Sequence, residues 1–281
     1  MPPGRVIDAG RPTQVRWRLL ALLFVVCFLA YLLRMNISVA GTLMRGDLRL
    51  SEIQMGWIFG AFTFAYAAFQ FPGGLLGEWL GGRAAVAAIG LSWGALTVLT
   101  GWLPGRPLLS GAGALATLVA VRFLMGAAQA PVFPVTAASI ETWFPRLGWA
   151  LPNGLLSTGL TLGAAATSPV VAWLMVTVGW RASFYWTAPA AFLVVALWWW
   201  YARDDPSAHP GANAAERALI AADRPPENGE LRAEVVRRLL RDRNVLLLSL
   251  SYLCMNYVFY IFFSWFYTYL IEVRKFGLLE G

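Results

Sequence analysis

The chain has 281 residues, of which 58% are hydrophobic and only 13% are charged, and its mean hydropathy is +0.59. Globular domains carry roughly 25% charged residues, so this composition excludes an ordinary water-soluble domain. Basic segments between apolar runs account for the net charge of +7, which therefore does not require a nucleic-acid partner.

Seven apolar runs follow one another along the chain, and each is long enough to cross a bilayer. A helix needs about 20 apolar residues to span the hydrocarbon core. Two runs contain a single charged residue each, Arg34 and Arg122, and the other five contain none. The runs cover residues 19–44, 53–77, 84–105, 107–140, 147–180, 182–202 and 244–271. The sequence therefore predicts an all-α integral membrane protein.

The connections predict both orientation and domain organisation. Fourteen Lys and Arg residues lie on the same side as the N-terminus and six on the other, which indicates a cytoplasmic N-terminus. We expect a multi-pass protein of the cell (inner or plasma) membrane. The predicted parts are a cytoplasmic tail (1–16), a six-helix bundle (17–202), a cytoplasmic linker with short helices (203–243) and a seventh helix (244–281). The one histidine, His209, is expected to be a solvated residue of the linker.

Arg34 and Arg122 are the charges predicted near mid-depth. A guanidinium at the bilayer centre costs at least about 2.5 kcal/mol. None of the fifteen acidic residues lies in the middle of a run, so this chain offers neither arginine a carboxylate partner. Two interpretations remain open: backbone carbonyls or groups outside the chain satisfy the arginines, or the arginines hold an anionic substrate. We favour the second, because a planar guanidinium matches a carboxylate or phosphate in a bidentate pair.

Several motifs resemble one family of transporters. The segments occur in the order LLRMNISVA, FAYAAFQFPGGLLGEWLGGR, VRFLMGAAQAPVFP, ETWFPRLGWA with GWRASFYW, and NYVFYIFFSWFYTYL. From about residue 17 onward the chain resembles the first half, plus a seventh helix, of a major facilitator superfamily transporter. More narrowly, it is similar to the anion:cation symporter family of organic-anion carriers. The resemblance implies a helical bundle with seven of an expected twelve transmembrane helices present.

The resemblance also implies two sets of functional residues. The expected substrate-binding residues are Arg34, Tyr66, Arg122, Gln129, Ser157 (with Thr158), Asn256 and Tyr257. The expected gating residues of the cytoplasmic motif are Gly74, Glu78, Gly81, Arg83 and Arg146, and we expect Glu78 to cap or pair at the inner interface.

Two of these assignments have a structural alternative. Tyr66 is equally explained as a side chain that fills space between helices. Ser157 and Thr158 stand among Gly154, Gly159 and Gly163, and small residues at this spacing also serve close helix packing in membranes.

The sequence departs from the proton-coupled members of that family. Their acidic residues correspond to Leu33 and Gln129 here, so proton coupling through this pair is not expected and a co-transported cation is left open. We expect a monomer embedded in the lipid bilayer that binds a small anionic substrate and needs no cofactor or metal.

Two other classes of protein are less consistent with the sequence. A seven-helix receptor normally has its N-terminus outside, which is opposite to the arginine distribution. A membrane enzyme would need a nucleophile with a base, or a metal cluster, at depth. We therefore predict secondary active transport of an organic carboxylate, such as a sugar acid, and no enzymatic activity.

Overall fold

The computed structural model describes residues 11–104, 112–222 and 237–279, and these residues form helices and no strand. The helices are α1 (Val15–Leu48), α2 (Glu52–Leu80), α3 (Gly82–Trp102), α4 (Ala112–Gln129), α5 (Val132–Trp143), α6 (Ala150–Val178), α7 (Trp180–Tyr201), α8 (Ala214–Ala221) and α9 (Arg243–Glu272). The predicted all-α membrane fold is confirmed.

Six stretches of the described residues are long and apolar enough to cross a membrane, and they contain α1, α3, α4 with α5, α6, α7 and α9. Helix α2 has 29 residues and is long enough, but it is not among the six because Gly, Gln, Trp and Tyr lower its hydropathy. The span expected over 53–77 therefore stays a prediction.

The fourth predicted run is not one continuous helix. It divides into α4 and α5 at Ala130 and Pro131, because proline has no N–H to continue the helical hydrogen bonds. The beginning of this run, residues 107–111, lies outside the described residues. The break separates Arg122 and Gln129 on α4 from the segment that approaches the linker.

Three helix pairs build the bundle: α1 packs on α6, α2 on α4, and α3 on α7. Glycines let the backbones approach closely. A Cβ added to Gly163 of α6 would collide with the carbonyl oxygen of Phe28 in α1, and one added to Gly159 would lie 2.9 Å from the carbonyl oxygen of Phe24. The expected packing role of Gly159 and Gly163 is confirmed, whereas Gly154 faces open space.

Helix α9 lies against α1 and is otherwise poorly covered, since Tyr267 is its one buried residue. An ion pair of 2.8 Å between Arg45 of α1 and Glu272 of α9 joins the ends of the two helices. Both side chains are partly exposed, so the pair contributes little more than about 1 kcal/mol.

The linker caps α1. The carboxylate of Glu216 in α8 is completely buried and accepts hydrogen bonds from the backbone N–H groups of Val15 (3.3 Å) and Arg16 (3.2 Å) and from the hydroxyl of Thr13. The residue at the N-cap position, Gln14, makes no capping hydrogen bond of its own. Glu216 therefore satisfies the free N–H groups at the start of α1 and places a negative charge at the positive end of its dipole.

A second acidic residue of the linker does the same for α3. The carboxylate of Asp204 accepts a hydrogen bond of 2.7 Å from the backbone N–H of Arg83. The N-cap residue Gly81 has no side chain to offer, and its φ of +78° favours glycine. A Cβ at Gly81 would also lie 3.1 Å from the Asp204 carboxyl group, so glycine is needed for the close approach of the cap.

The expectation that His209 is a solvated residue is wrong. Its side chain is buried, with its ring edge-on to Trp143 and Tyr201. Nδ1 accepts a hydrogen bond from the N–H of Gly211 (3.0 Å), which leaves the proton on Nε2 to be donated to the carbonyl of Tyr201 (3.1 Å). Two hydrogen bonds thus select the neutral imidazole, and burial lowers the pKa of His209 below its ordinary value.

Removing the α1 cap should destabilise the protein. We expect Glu216→Ala to cost about 1–3 kcal/mol of unfolding free energy, because the buried N–H groups of Val15 and Arg16 lose their acceptor. Thermal unfolding in detergent measures the change. Glu141→Ala, at an exposed position of α5, is the matched control and should melt like the wild type. Equal melting of the two variants would contradict the capping role.

His209 should make stability depend on pH. Because its folded-state pKa is lowered, protons bind the unfolded chain more tightly. The stability that neutral His209 contributes is fully present above the ordinary histidine pKa of about 6.5. This stability is lost as the pH falls below that value. We expect the melting temperature to drop between about pH 7 and pH 5, and His209→Gln to flatten this slope. Arg203 and Glu216 act on the ring in opposite directions, and Arg217 donates to the backbone carbonyl of His209. An unchanged slope in His209→Gln would refute this assignment.

Candidate functional site

The two mid-depth arginines lie next to each other. Arg34 of α1 is 4% exposed and Arg122 of α4 is 3% exposed. The guanidinium of Arg122 donates a hydrogen bond of 3.1 Å to the backbone carbonyl of Arg34. Within the described ranges, neither arginine forms an ion pair. Two positive charges therefore share one buried region with no negative side chain between them.

Aromatic rings surround the Arg34 guanidinium. Its central carbon lies 4.6 Å from the ring centres of both Phe62 and Tyr66 in α2. Three more rings follow at slightly larger distances: Tyr31 at 5.2 Å, Tyr260 at 5.2 Å and Phe263 at 5.8 Å. Each cation–π contact contributes about 0.5–2 kcal/mol, so the cage is large enough to offset a burial cost of at least about 2.5 kcal/mol. Aromatic faces thus replace the missing carboxylate.

The hydrogen-bonding capacity of the pair is only partly used. A guanidinium has five N–H donors. Arg122 uses one nitrogen on the carbonyl of Arg34 and another on the sulfur of Met125 (3.2 Å), while its buried Nε has no partner among the described residues. Arg34 donates to the hydroxyl of Tyr260. Donors of both guanidinium groups therefore remain without a partner among the described residues.

A small cavity of about 20 Å³ opens where α1, α2, α4 and α9 meet, and both arginines line it. Hydroxyl groups of Ser38, Thr63, Tyr260 and Ser264 complete its polar lining. Within the described residues, no group of three His, Cys, Asp or Glu side chains offers a metal site. The arrangement can bind an anion through charge and hydrogen bonds, but it presents no nucleophile with an adjacent base.

Comparison with known proteins agrees with this architecture. Residues 23–281 match the family model described as the Major Facilitator Superfamily. The chain belongs to the Major Facilitator Superfamily.

Three relatives illustrate the similarity within the superfamily. The chain is 30% identical to a probable galactarate/D-glucarate transporter of Bacillus subtilis, over 98% of this chain and 62% of the relative. It is 28% identical to the protein of the same name in Escherichia coli, over 96% of this chain and 61% of the relative. It is 29% identical to a probable sulfoacetate transporter of Cupriavidus necator, over 95% of this chain and 60% of the relative. The chain thus spans less than two thirds of each of these relatives.

A solved structure supports the fold. A bacterial homologue of the human lysosomal transporter Spinster, in an inward-facing and unoccupied conformation, superposes with a TM-score of 0.73. The sequence identity is 18%, and the match covers 96% of this chain and 58% of the other.

The resemblance predicted several substrate-binding residues. The structure places only some of them near Arg34 and Arg122. Tyr66 joins the arginines and stacks on Phe62, with 5.9 Å between ring centres. Gln129 is buried nearby, but its amide donates to the carbonyl of Ala30 (3.1 Å) and so braces α4 against α1.

Four other candidates lie apart from the arginines. Ser157 and Thr158 are exposed on α6, and their hydroxyls donate to the carbonyls of Asn153 and Gly154 in their own helix. The Asn256 side chain donates to the carbonyl of Tyr252 in α9. The neighbouring Tyr257 is 70% exposed. No contact in the described structure joins these four side chains to either arginine.

The sequence analysis missed Tyr260, which contacts Arg34 instead. It lies about one helical turn after Asn256 and Tyr257, so the right helix was identified but not the turn that lies level with Arg34. The available signal was a tyrosine within an apolar helix, since a buried phenolic hydroxyl usually needs a hydrogen-bond partner. Phe62 was missed because nothing in its sequence context distinguishes it from a packing residue.

The motif residues of the superfamily lie at the other end of α2. Gly74, Glu78, Gly81 and Arg83 line a cavity of about 240 Å³ together with Asp204. The Arg83 guanidinium donates twice to the carbonyl of Trp199, at 2.6 and 3.1 Å.

For Glu78 the expected ion pair is not seen in the described part of the chain, and the gating role of Arg146 stays a prediction. Glu78 is exposed and forms none of the ion pairs of the described residues, and the cap of α3 comes from Asp204 instead. Arg146 is exposed at the start of a single 3₁₀ turn, Arg146–Gly148, and is not among the residues that line the cavity.

Proposed function

We propose that the complete gene product that contains this chain is a secondary active transporter of a small organic anion, and that Arg34 and Arg122 bind the anionic group. The observation that carries the proposal is the pair of adjacent, buried guanidinium groups, which have unused donors and form no ion pair in the part of the chain that the structure describes. The relatives reported above are named as transporters of galactarate and D-glucarate and of sulfoacetate, all organic anions, and this supports the same class of substrate here.

Binding would act through electrostatics. Two like charges in a medium of low polarity repel each other strongly, and an anion placed between them removes that repulsion and fills the free N–H donors. The cage around Arg34 includes Tyr260 and Phe263 of α9, the helix that follows the linker. An anion that binds better when α9 approaches α1 would shift the population toward that arrangement, as alternating access requires.

The proposed organisation follows the distribution of arginines. The tail (1–16) and the linker (203–243) lie in the cytoplasm, the bundle (17–202) and the helix from 244 onward lie in the cell membrane, and the protein acts as a monomer. The docking of α8 on the start of α1 is compatible with this scheme, because both then lie on the same side of the membrane.

We also infer that transport depends only weakly on protons. Gln129 and Leu33, at the positions of the acidic residues in proton-coupled relatives, are buried and cannot titrate. Gln129 is held by the carbonyl of Ala30. In the described residues of this chain the mid-depth charges are therefore arginines, whose charge does not change near neutral pH.

The arginine variants test the proposed function. In the complete gene product, we expect Arg34→Ala and Arg122→Ala each to reduce uptake of the transported anion by about tenfold or more, because charge-assisted hydrogen bonds are lost. Lysine at either position should restore uptake only weakly, since the planar fork is missing. Arg18→Ala, at an exposed position of α1, is the control, and membrane abundance is measured for every variant. Normal uptake by Arg34→Ala would disprove the anion site.

A vesicle experiment tests the coupling. Addition of the transported anion to vesicles that contain the complete wild-type protein should cause little alkalinisation outside. Gln129→Glu introduces a titratable group at the same position and should increase the proton uptake. Gln129→Leu removes the same hydrogen bond to Ala30 without adding a charge, so it separates titration from loss of the brace. Strong proton uptake by the wild type would refute weak coupling.

A further inference from the structure

A second, larger cavity adjoins the arginine site. It has a volume of about 320 Å³ and lies between α1, α6 and α9. Met35, Ser38 and Phe263 line both cavities, so the two lie side by side and share part of their walls. The volume falls in the range of small-molecule sites, about 300–1,000 Å³. A ligand whose anionic group meets the arginines would therefore extend its body into the larger cavity.

The wall that α9 contributes to this cavity is aromatic. Its rings belong to Phe259, Phe262, Phe263, Phe266 and Tyr267. Met35, Val39 and Ala164 of α1 and α6 add apolar surface on the other side. The rings of Phe259 and Phe263 lie 4.8 Å apart, so residues one turn apart on α9 present adjacent aromatic surface.

The larger cavity offers few hydrogen bonds. Its hydroxyl groups belong to Ser38, Thr167, Ser168 and Tyr267. The proton of Thr167 is donated to the carbonyl of Gly163 (2.8 Å), and that of Tyr267 to the carbonyl of Leu278 (2.7 Å). Two serines remain as unassigned donors. A ligand with many hydroxyl groups would leave several of them without partners, and each such loss weakens binding.

The residues that line the larger cavity also differ in charge from those that line the smaller one. None of the described residues that line it is Lys or Arg, whereas Arg34 and Arg122 line the smaller cavity. The wall described here therefore suits a ligand with one anionic group and an uncharged, apolar body.

From these observations we propose that the transported anion is an aromatic monocarboxylate, whose carboxylate binds Arg34 and Arg122 and whose ring lies against the phenylalanines of α9. The inference rests on the proposed function, because it uses the arginines as the anion site. It differs from the substrate class in the names of the galactarate/D-glucarate relatives, since an aldarate carries two carboxylates and a chain of hydroxyl groups.

The test compares two probes on the complete gene product purified in detergent. We expect phenylacetate to bind about tenfold or more tightly than galactarate. Phe266→Ala should weaken phenylacetate binding by about tenfold, because Phe266 lines the larger cavity. Phe266 does not line the smaller cavity that contains the arginines. Phe71→Ala, exposed on α2 and outside both cavities, is the control and should bind like the wild type. Arg34→Ala should abolish phenylacetate binding.

The outcomes separate this inference from the proposed function. Tighter binding of galactarate that still requires Arg34 would overturn the aromatic substrate and leave the anion transporter intact. Binding of phenylacetate that persists in Arg34→Ala, or that Phe266→Ala and Phe71→Ala weaken equally, would also overturn the aromatic site. Binding of no organic anion in an Arg34-dependent way would overturn both proposals together.

Discussion

The burial of two guanidinium groups, with no carboxylate beside them among the described residues, is the constraint on which the site depends. Arg34 and Arg122 cannot lose their protons, so their charge must be stabilised where they lie. Phe62 and Tyr66 present ring faces to Arg34, and the carbonyl of Arg34 accepts from Arg122. These contacts stabilise positive charge without neutralising it. A carboxylate from the protein would have done both, and would have competed with a ligand for the same donors.

The close helix packing serves this constraint. Phe62 contributes a ring to both guanidinium groups, at 4.6 Å from Arg34 and 4.8 Å from Arg122. Its own carbonyl oxygen lies against Gly126 of α4, where any Cβ would collide. The absent side chain at Gly126 thus lets α2 approach α4 closely enough for one ring to reach both arginines. Packing and electrostatics are linked at this residue.

The lengths of the apolar runs predicted the helices well, because a helix that spans a bilayer needs about 20 apolar residues and such runs are easily recognised in a sequence. The arginine pair followed from the same logic, since a charge in such a run is conspicuous. Contacts that depend on how far one helix is shifted along another were not predictable: Tyr260, one turn beyond Asn256 and Tyr257, contacts Arg34. Burial of His209 was equally hidden, because it results from tertiary docking of a polar segment. Motif matching also placed the charged partner of the α2–α3 junction at Glu78, whereas Asp204 occupies that role from across the chain.

The cap of α1 has a consequence for biosynthesis. Glu216 lies 201 residues after Val15, the first residue whose N–H it accepts. At a synthesis rate of about 5–20 residues per second, the start of α1 waits about 10–40 s for its acceptor. Helix α1 therefore enters the membrane with an unfinished end, and the linker completes it only after α2 to α7 have been made. The hydrogen bonds that complete the start of α1 therefore form late in translation, because the glutamate that accepts them lies in α8.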